Sequence, residues 1–263
     1  MTKKLISVTD ITSYLFCPRK VYFKLVKGIK EPPNQKMILG FLKHKIFDIF
    51  NKNESIIVSS ISGDDKKLIK NTYLEALTRI VQEVSSIYYS MMNSFSIQFQ
   101  DLLKPVLKSM NAEIELRAAS IAEALRKGFR GKELWRELKP KYLTEFEIIS
   151  EELGLKGRID RVKLEQEIIP YEIKTREKVY QSDIIQLAAY SLLLEKEFNK
   201  PVTKGVIETS EKQETIEISQ EMKNQVLEIA EEIRNLSEEN LQSNFSSNFV
   251  KCENCSFKED CFE

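Results

Sequence analysis

The sequence has no uninterrupted apolar run approaching 18 residues, which excludes a membrane-spanning helix on hydropathy grounds. Its first residues, Met1-Thr2-Lys3-Lys4, lack the apolar stretch that a secretory signal needs, so a cytoplasmic protein without membrane attachment is expected. Net charge is also missing: 40 Lys and Arg balance 40 Asp and Glu. That balance does not exclude a nucleic-acid partner, because residues 1–50 hold ten basic against three acidic side chains and residues 211–263 hold five against thirteen. A basic surface can hide inside a neutral total. There is a single histidine and there are four cysteines, three of them in the last twelve residues. With 42% apolar residues over 263 positions, the chain is long enough for one large domain, or a core with an inserted subdomain, that folds without disulfides. No phosphate-binding loop occurs in residues 64–140, and no helicase motif occurs anywhere.

What is present concentrates between Gly157 and Lys174. Leu155–Leu164 and Ile168–Thr175 read as strands joined by a turn at Glu165-Gln166-Glu167. Alternation along a strand puts Glu172 and Lys174 on one face and Tyr171 and Ile173 on the other. Asp160, on the preceding strand, can reach the same side as Glu172. Two carboxylates there suit a divalent cation, and the ammonium is left to orient or deprotonate a water. A Glu-x-Lys pair alone is equally a solvent-facing ion pair. A helix follows, with Gln186 and Tyr190 four apart on one face, although Leu187, Tyr190, Leu193 and Leu194 suit plain core packing as well.

Taken together, Gly157-x-x-Asp160, Glu172-x-Lys174 and Gln186-x-x-x-Tyr190 resemble the PD-(D/E)xK nuclease superfamily in its RecB-like branch. The resemblance implies an α/β fold, a restriction-endonuclease-like mixed sheet flanked by helices. His44 lies in an amphipathic stretch, residues 35–50, whose Ile38, Leu42, Ile46 and Ile49 share a face that His44 avoids. It is either an exposed helix position or a metal ligand, and it matches the histidine that RecB-like families carry on a helix before the hairpin. The resemblance thus implies that His44, Asp160, Glu172 and the carbonyl of Ile173 hold Mg²⁺ or Mn²⁺. Lys174 positions the water, and Gln186 and Tyr190 hold the strand or the lysine.

Ser7-Val8-Thr9-Asp10 suits a helix start, and Pro18 breaks that helix where Cys17 sits. Cys252, Cys255 and Cys261 occupy a charged tail with little apolar content. In a cytosolic chain such cysteines read as metal ligands, for zinc or an iron–sulfur cluster, with free thiols as the remaining option. One distant cysteine before a terminal triplet resembles the iron–sulfur RecB-like nucleases, among them the AddB-type helicase-nucleases and the CRISPR-associated exonucleases. That resemblance implies a 4Fe-4S cluster joining the two chain ends.

Residues 64–140 read as helical, with repeated apolar spacing at Leu68, Tyr73, Leu77, Ile80, Val84 and Ile87 in one segment and at Leu102, Val106, Ile114, Ile121 and Leu125 in others, a kink or break at Pro105, and an end at Gly128 and Gly131. A strand is expected at Tyr142–Ser150, two more at Val202–Thr209 and Glu214–Ile218, and a charged helix from about Gln220 to Glu239. The expected organisation is an N-terminal helical part (1–63), a helical insertion that clamps or gates DNA (64–140), the nuclease core (141–218) and a C-terminal helix with the cysteine tail (219–263). The resemblance implies a metal-dependent DNA exonuclease, with endonuclease action left open, working on ends or single strands in CRISPR spacer acquisition. Its implied partners are DNA and CRISPR integration proteins, and homo-oligomerisation is left open. A repair nuclease working beside a helicase and a non-catalytic DNA-binding scaffold subunit are the alternatives. Arg19, Lys20, Lys24 and Arg158 are candidates for phosphate contacts, and Tyr14, Phe16 and Tyr22 for base stacking or core.

Overall fold

The computed structural model describes residues 3–138, 142–174, 176–209, 211–238, 249–253 and 255–262. The expected last residues of one strand and of the charged helix, Thr175 and Glu239, lie outside them. The chain enters through β1 (Ile6–Ser7) and turns at once into α1 (Val8–Phe16), where Ser7 and Asp10 form a reciprocal capping box. Cys17 is extended, with φ −163°, and separates α1 from α2 (Pro18–Leu25), which starts on its proline as expected. The helix carrying His44, α3, runs over Gln35–Ser60 and so extends well past the expected Phe50. Its apolar face continues through Ile57 and Val58, so burial sustains it after the sequence pattern blurs.

Four helices follow: α4 (Lys66–Ile87), α5 (Tyr89–Ser94), α6 (Phe99–Arg126) and α7 (Gly131–Glu137). In α4 the buried stripe is Ile69, Tyr73, Leu77, Ile80, Val81 and Val84. Leu68 and Ile87, part of the apolar spacing in the sequence, are 62% and 63% exposed, because the stripe is set by Ile69 one residue on. Of the kink or interruption expected at Pro105, the interruption does not occur, since α6 runs through that residue. It lies near the start of α6, and Leu102, Val106, Met110 and Ile114 on that helix are buried around it, so tertiary packing outweighs the missing N–H. Gly131, expected at a helix end, is the first residue of α7. The buried faces of α3, α4, α6 and α7 make one apolar cluster.

The second cluster is built on a six-stranded mixed sheet. Strand β3 (Leu155–Leu164) is its spine. Antiparallel β2 (Tyr142–Ser150) covers one edge along its whole length, from Tyr142 opposite Lys163 to Ser150 opposite Leu155. On the other edge, β1 pairs in parallel at Leu155–Lys156, and β4 (Ile168–Ile173) pairs antiparallel from Arg161 onward. Between these two, Gly157–Asp160 has no strand partner on that edge among the described residues. Strand β4 leads through α8 (Gln181–Phe198) to parallel β5 (Lys204–Glu208), which pairs with β6 (Gln213–Glu217) before α9 (Gln220–Arg234). This mixed sheet with flanking helices is the fold class that the motifs implied. No helix of the described residues is long and apolar enough to cross a membrane.

Arg161 joins the two clusters. It is 4% exposed, ion-paired to Glu113 of α6 and Glu208 of β5, and its guanidinium lies 4.7 Å and 4.6 Å from the ring centres of Tyr142 and Tyr171. A buried guanidinium needs this many partners to offset its desolvation. Gly157 matters for another reason. A Cβ there would stand 3.0 Å from Val8 Cγ2 and 3.1 Å from Tyr190 Cε1, so a larger residue would push against α1 and α8 where they pack on β3. Gly157→Val is expected to destabilise the fold by about 1–3 kcal/mol, as overpacking does. Thermal denaturation followed by circular dichroism checks this, and an unchanged melting temperature would contradict it.

Candidate active site

The unpaired edge of β3 is where the predicted residues meet. Asp160 is 9% exposed, and its Oδ2 accepts a 2.7 Å hydrogen bond from the Ile173 amide, so β4 begins to diverge just where the carboxylate needs a donor. Its Oδ1 lies 3.3 Å from His44 Nδ1, delivered by α3. Glu172, on β4, is buried. Its Oε1 accepts from Lys174 Nζ at 2.8 Å, while its Oε2 has no partner. Lys174 also donates to Gln186 Oε1 at 2.9 Å and lies 3.4 Å from Asp183 Oδ1. Gln186 Nε2 donates to the Tyr190 hydroxyl at 2.9 Å, and that hydroxyl donates to the Arg158 carbonyl at 2.9 Å. The four-residue spacing on α8 thus anchors both the lysine and the unpaired stretch of β3. A cavity of about 460 Å³ opens over His44, Asp160, Glu172, Gln186 and Tyr190.

The electrostatics follow from crowding acids. Burial, then the Glu172 charge, raise the Asp160 carboxyl above the usual carboxylate range against the opposing pull of His44 and the Ile173 amide. Burial works against a charged His44, but the Glu145 hydrogen bond and the charges of Asp160, Glu145 and Glu172 prevail and push it up to about 9. Burial also opposes the charge on Lys174, yet Glu172 and Asp183 raise it overall, so the ammonium stays charged. Without a cation the cluster therefore retains protons. The donor set, carboxylate oxygens with one imidazole and an orphaned buried oxygen on Glu172, fits a hard divalent ion.

Glu145 was not anticipated. Its Oε1 is 2.9 Å from His44 Nδ1 and its Oε2 is 3.0 Å from Arg158 Nε. Strand β2 carries it opposite Asp160, since Thr144 faces Arg161 and Phe146 faces Ile159. In the sequence, Glu145-Phe146-Glu147 reads as an ordinary solvent face, and only the register distinguishes the first acid from the second. Asp183, which holds Lys174 and pairs with Arg176 at 2.6 Å, was likewise missed.

Arg158 sits at the rim, bordering the large cavity and a second one of about 390 Å³ lined by Lys45, Lys52 and Glu145 among others. Arg19, Lys20 and Lys24, expected at phosphates, line neither cavity. Lys20 pairs with Glu31 and Lys24 with Asp10, each at 2.5 Å, and Arg19 donates to Cys261 Sγ at 3.4 Å. The break at Pro18 turns this part of α2 toward the C-terminal segment instead. Tyr22 is core, and Tyr14 packs partly buried against the sheet cluster.

At that end of the molecule all four cysteines, each a free thiol, border one small cavity with Arg19, Lys20 and Lys258. Cys252 and Cys261 lie on the short helices Phe249–Glu253 and Lys258–Phe262. Phe257, buried, stacks on Phe23 of α2 and fixes the segment there. Burial pushes the Cys255 thiol up, with the neighbouring Cys17 and Cys252 adding to the rise and the Phe257 amide and Lys20 opposing it. Four thiols facing three cations form a donor set suited to a thiolate-ligated centre.

A buried Asp on one strand, Glu-x-Lys on the next and a helix that anchors the lysine define a nuclease-type centre. The chain belongs to the PD-(D/E)XK nuclease superfamily, which it matches over residues 5–262. Over 149 residues, 51% of its length, it is 28% identical to a CRISPR-associated exonuclease Cas4/endonuclease Cas1 fusion of Leptospira interrogans serogroup Icterohaemorrhagiae serovar Lai (strain 56601). The match takes in 28% of that protein, so the chain corresponds to a minor part of it. The crystal structure of SSO0001 aligns over 86% of this chain and 97% of its own at 19% identity and a TM-score of 0.33. The family match and the curated relative bear out the resemblance to RecB-like PD-(D/E)xK nucleases.

Proposed function

We propose that the chain is a divalent-metal-dependent deoxyribonuclease that degrades DNA from ends or along single strands, in the setting of CRISPR spacer acquisition. The observation that carries this reading is the meeting of His44, Asp160 and Glu172 at one cavity, with Lys174 Nζ held 2.8 Å from Glu172 Oε1 and the buried Glu172 Oε2 left without a partner. His44, Asp160, Glu172 and the carbonyl of Ile173 are the donors for Mg²⁺ or Mn²⁺. Bound there, such a cation supplies Lewis acidity toward a phosphodiester and lowers the pKa of the attacking water. Lys174, held charged by Glu172 and Asp183 and aimed by Gln186, hydrogen-bonds the water and so positions it rather than deprotonating it. Tyr190 fixes the backbone at Arg158, whose half-exposed guanidinium is available to a backbone phosphate.

The CRISPR setting draws on the curated relative, in which an exonuclease is joined to a Cas1 endonuclease. A separate endonuclease of that kind is the partner proposed for this chain. The cysteine site is proposed to hold a 4Fe-4S cluster. The support is that all four thiols border one small cavity, as many thiolates as such a cluster takes.

The test is degradation of linear, end-labelled single-stranded DNA beside a closed circle in Mn²⁺. Loss of the linear strand with survival of the circle supports exonuclease action, and survival of both contradicts the proposal. Cation binding should also depend on pH. His44 holds its proton below about 9 and the raised Asp160 holds one into the range above ordinary carboxylates. Both protons must leave before the groups ligate, so Mn²⁺ affinity is expected to rise with pH, about tenfold per unit for each proton displaced. Calorimetric titration at a series of pH values checks this, and a flat profile from pH ~6 to ~9 would contradict it.

A further inference from the structure

Glu145 is a strand residue in a conformation that strands avoid. Its φ is 48°, in the left-handed region that disfavours any residue with a Cβ. The pairing of β2 with β3 nevertheless keeps the same register on both sides of it. The twist is therefore not an inserted residue accommodated in passing. It sets the carboxylate against His44 and Arg158, with the side chain only 16% exposed. The position also adds a third acid beside Asp160 and Glu172, whose mutual repulsion the metal-free fold must bear. A threonine or valine would serve the strand better on both counts.

What the arrangement does provide is a ligand. His44, Glu145 and Asp160 are the one set of three such donors among the described residues whose ligand atoms lie within 4.8 Å of one another. Independently, Glu172, which borders a cavity with His44 and Asp160, has a buried Oε2 with no partner in the protein. We propose that Glu145 is a further ligand of the divalent cation, presented from β2 by its left-handed backbone; this rests on the reading of the site as a cation centre. Arg158, 3.0 Å from the other carboxylate oxygen, aims the group. Acid repulsion in the free protein is then relieved when the cation arrives, while the strained backbone that presents the ligand is retained, a trade of stability for function.

The experiment is calorimetric titration of the full chain, its cysteine site intact, with Mn²⁺ alone, beside thermal denaturation of the metal-free proteins. Two variants are compared with the wild type. Glu145→Gln keeps the size but not the charge, and Glu145→Gly adopts the left-handed backbone without penalty. Both are expected to bind Mn²⁺ about 10–100-fold more weakly, with metal-free melting temperatures equal to or above that of the wild type. Wild-type affinity in either variant would overturn the proposal. So would a loss of affinity matched by a loss of folding in both variants, since Glu145 would then be a structural partner of His44 only. A folded wild-type protein that binds no Mn²⁺ would overturn the cation centre itself, and that result is distinct from an intact centre indifferent to Glu145.

Discussion

Glu172→Gln is expected to lower DNA cleavage by on the order of 10³-fold or more, because the charge it removes faces both the cation and Lys174. The substitution conserves volume at a residue that is 5% exposed, and it replaces an oxygen that lacks a partner in the metal-free protein. The fold should therefore survive it. Lys174→Met is expected to be as inactive for a different reason. It leaves His44, Asp160 and Glu172 in place, so Mn²⁺ binding persists while the group that orients the water is gone. Asp183, one of the lysine's neighbours, keeps its pair with Arg176 at 2.6 Å, which limits the structural damage. Single-turnover rates with circular dichroism and Mn²⁺ titration separate the two variants. Near wild-type cutting by the Lys174 variant would contradict the assignment.

Cys17→Ser and Cys261→Ser, 244 positions apart in the chain, are expected to fail together. If the four thiols ligate one cluster, the anaerobically purified wild type is brown, with broad absorption near ~400 nm and about four irons per chain. Each serine variant should be pale. An unfolded chain cannot preorganise four thiolates, so cluster binding contributes to folding, and each variant should melt on the order of 10 °C lower. Once one ligand is lost the second matters little, and the double variant should resemble either single one. Zinc would leave the protein colourless. Full iron content in the Cys17 variant would remove the N-terminal thiol from the site and the closure of the chain ends with it.

The hairpin from Leu155 to Ile173 was legible because local rules fix it: two β-branched runs, a polar turn between them, and a period of two that sorts Glu172 and Lys174 onto one face. The Gln186 and Tyr190 spacing was legible for the same reason on a helix. Their partners, the strand or the lysine, came from the family resemblance. That Gln186 Oε1 holds Lys174 and that Tyr190 closes onto the Arg158 carbonyl depend on how α8 crosses the sheet. Glu145 needed the pairing of β2 with β3 before it could be told from Glu147. Strand β1 is only two residues long and owes its existence to β3, so nothing in its own sequence announces it. At Pro105 the helix continues without interruption, because there a local rule gave way to packing. Lys20 and Lys24 were singled out by charge alone, and their pairing with Glu31 and Asp10, which are three-dimensional neighbours, was not legible.

The central claim is that this chain cleaves phosphodiesters with a divalent cation held by His44, Asp160 and Glu172. The most direct test follows a labelled DNA strand with metal-stripped protein, first in EDTA and then with Mn²⁺ in excess, for the wild type and Glu172→Gln side by side. The account predicts no cleavage in EDTA, cleavage by the wild type once Mn²⁺ is added, and none above background by the variant. Undiminished cleavage in EDTA, or equal cleavage by Glu172→Gln in Mn²⁺, would contradict it.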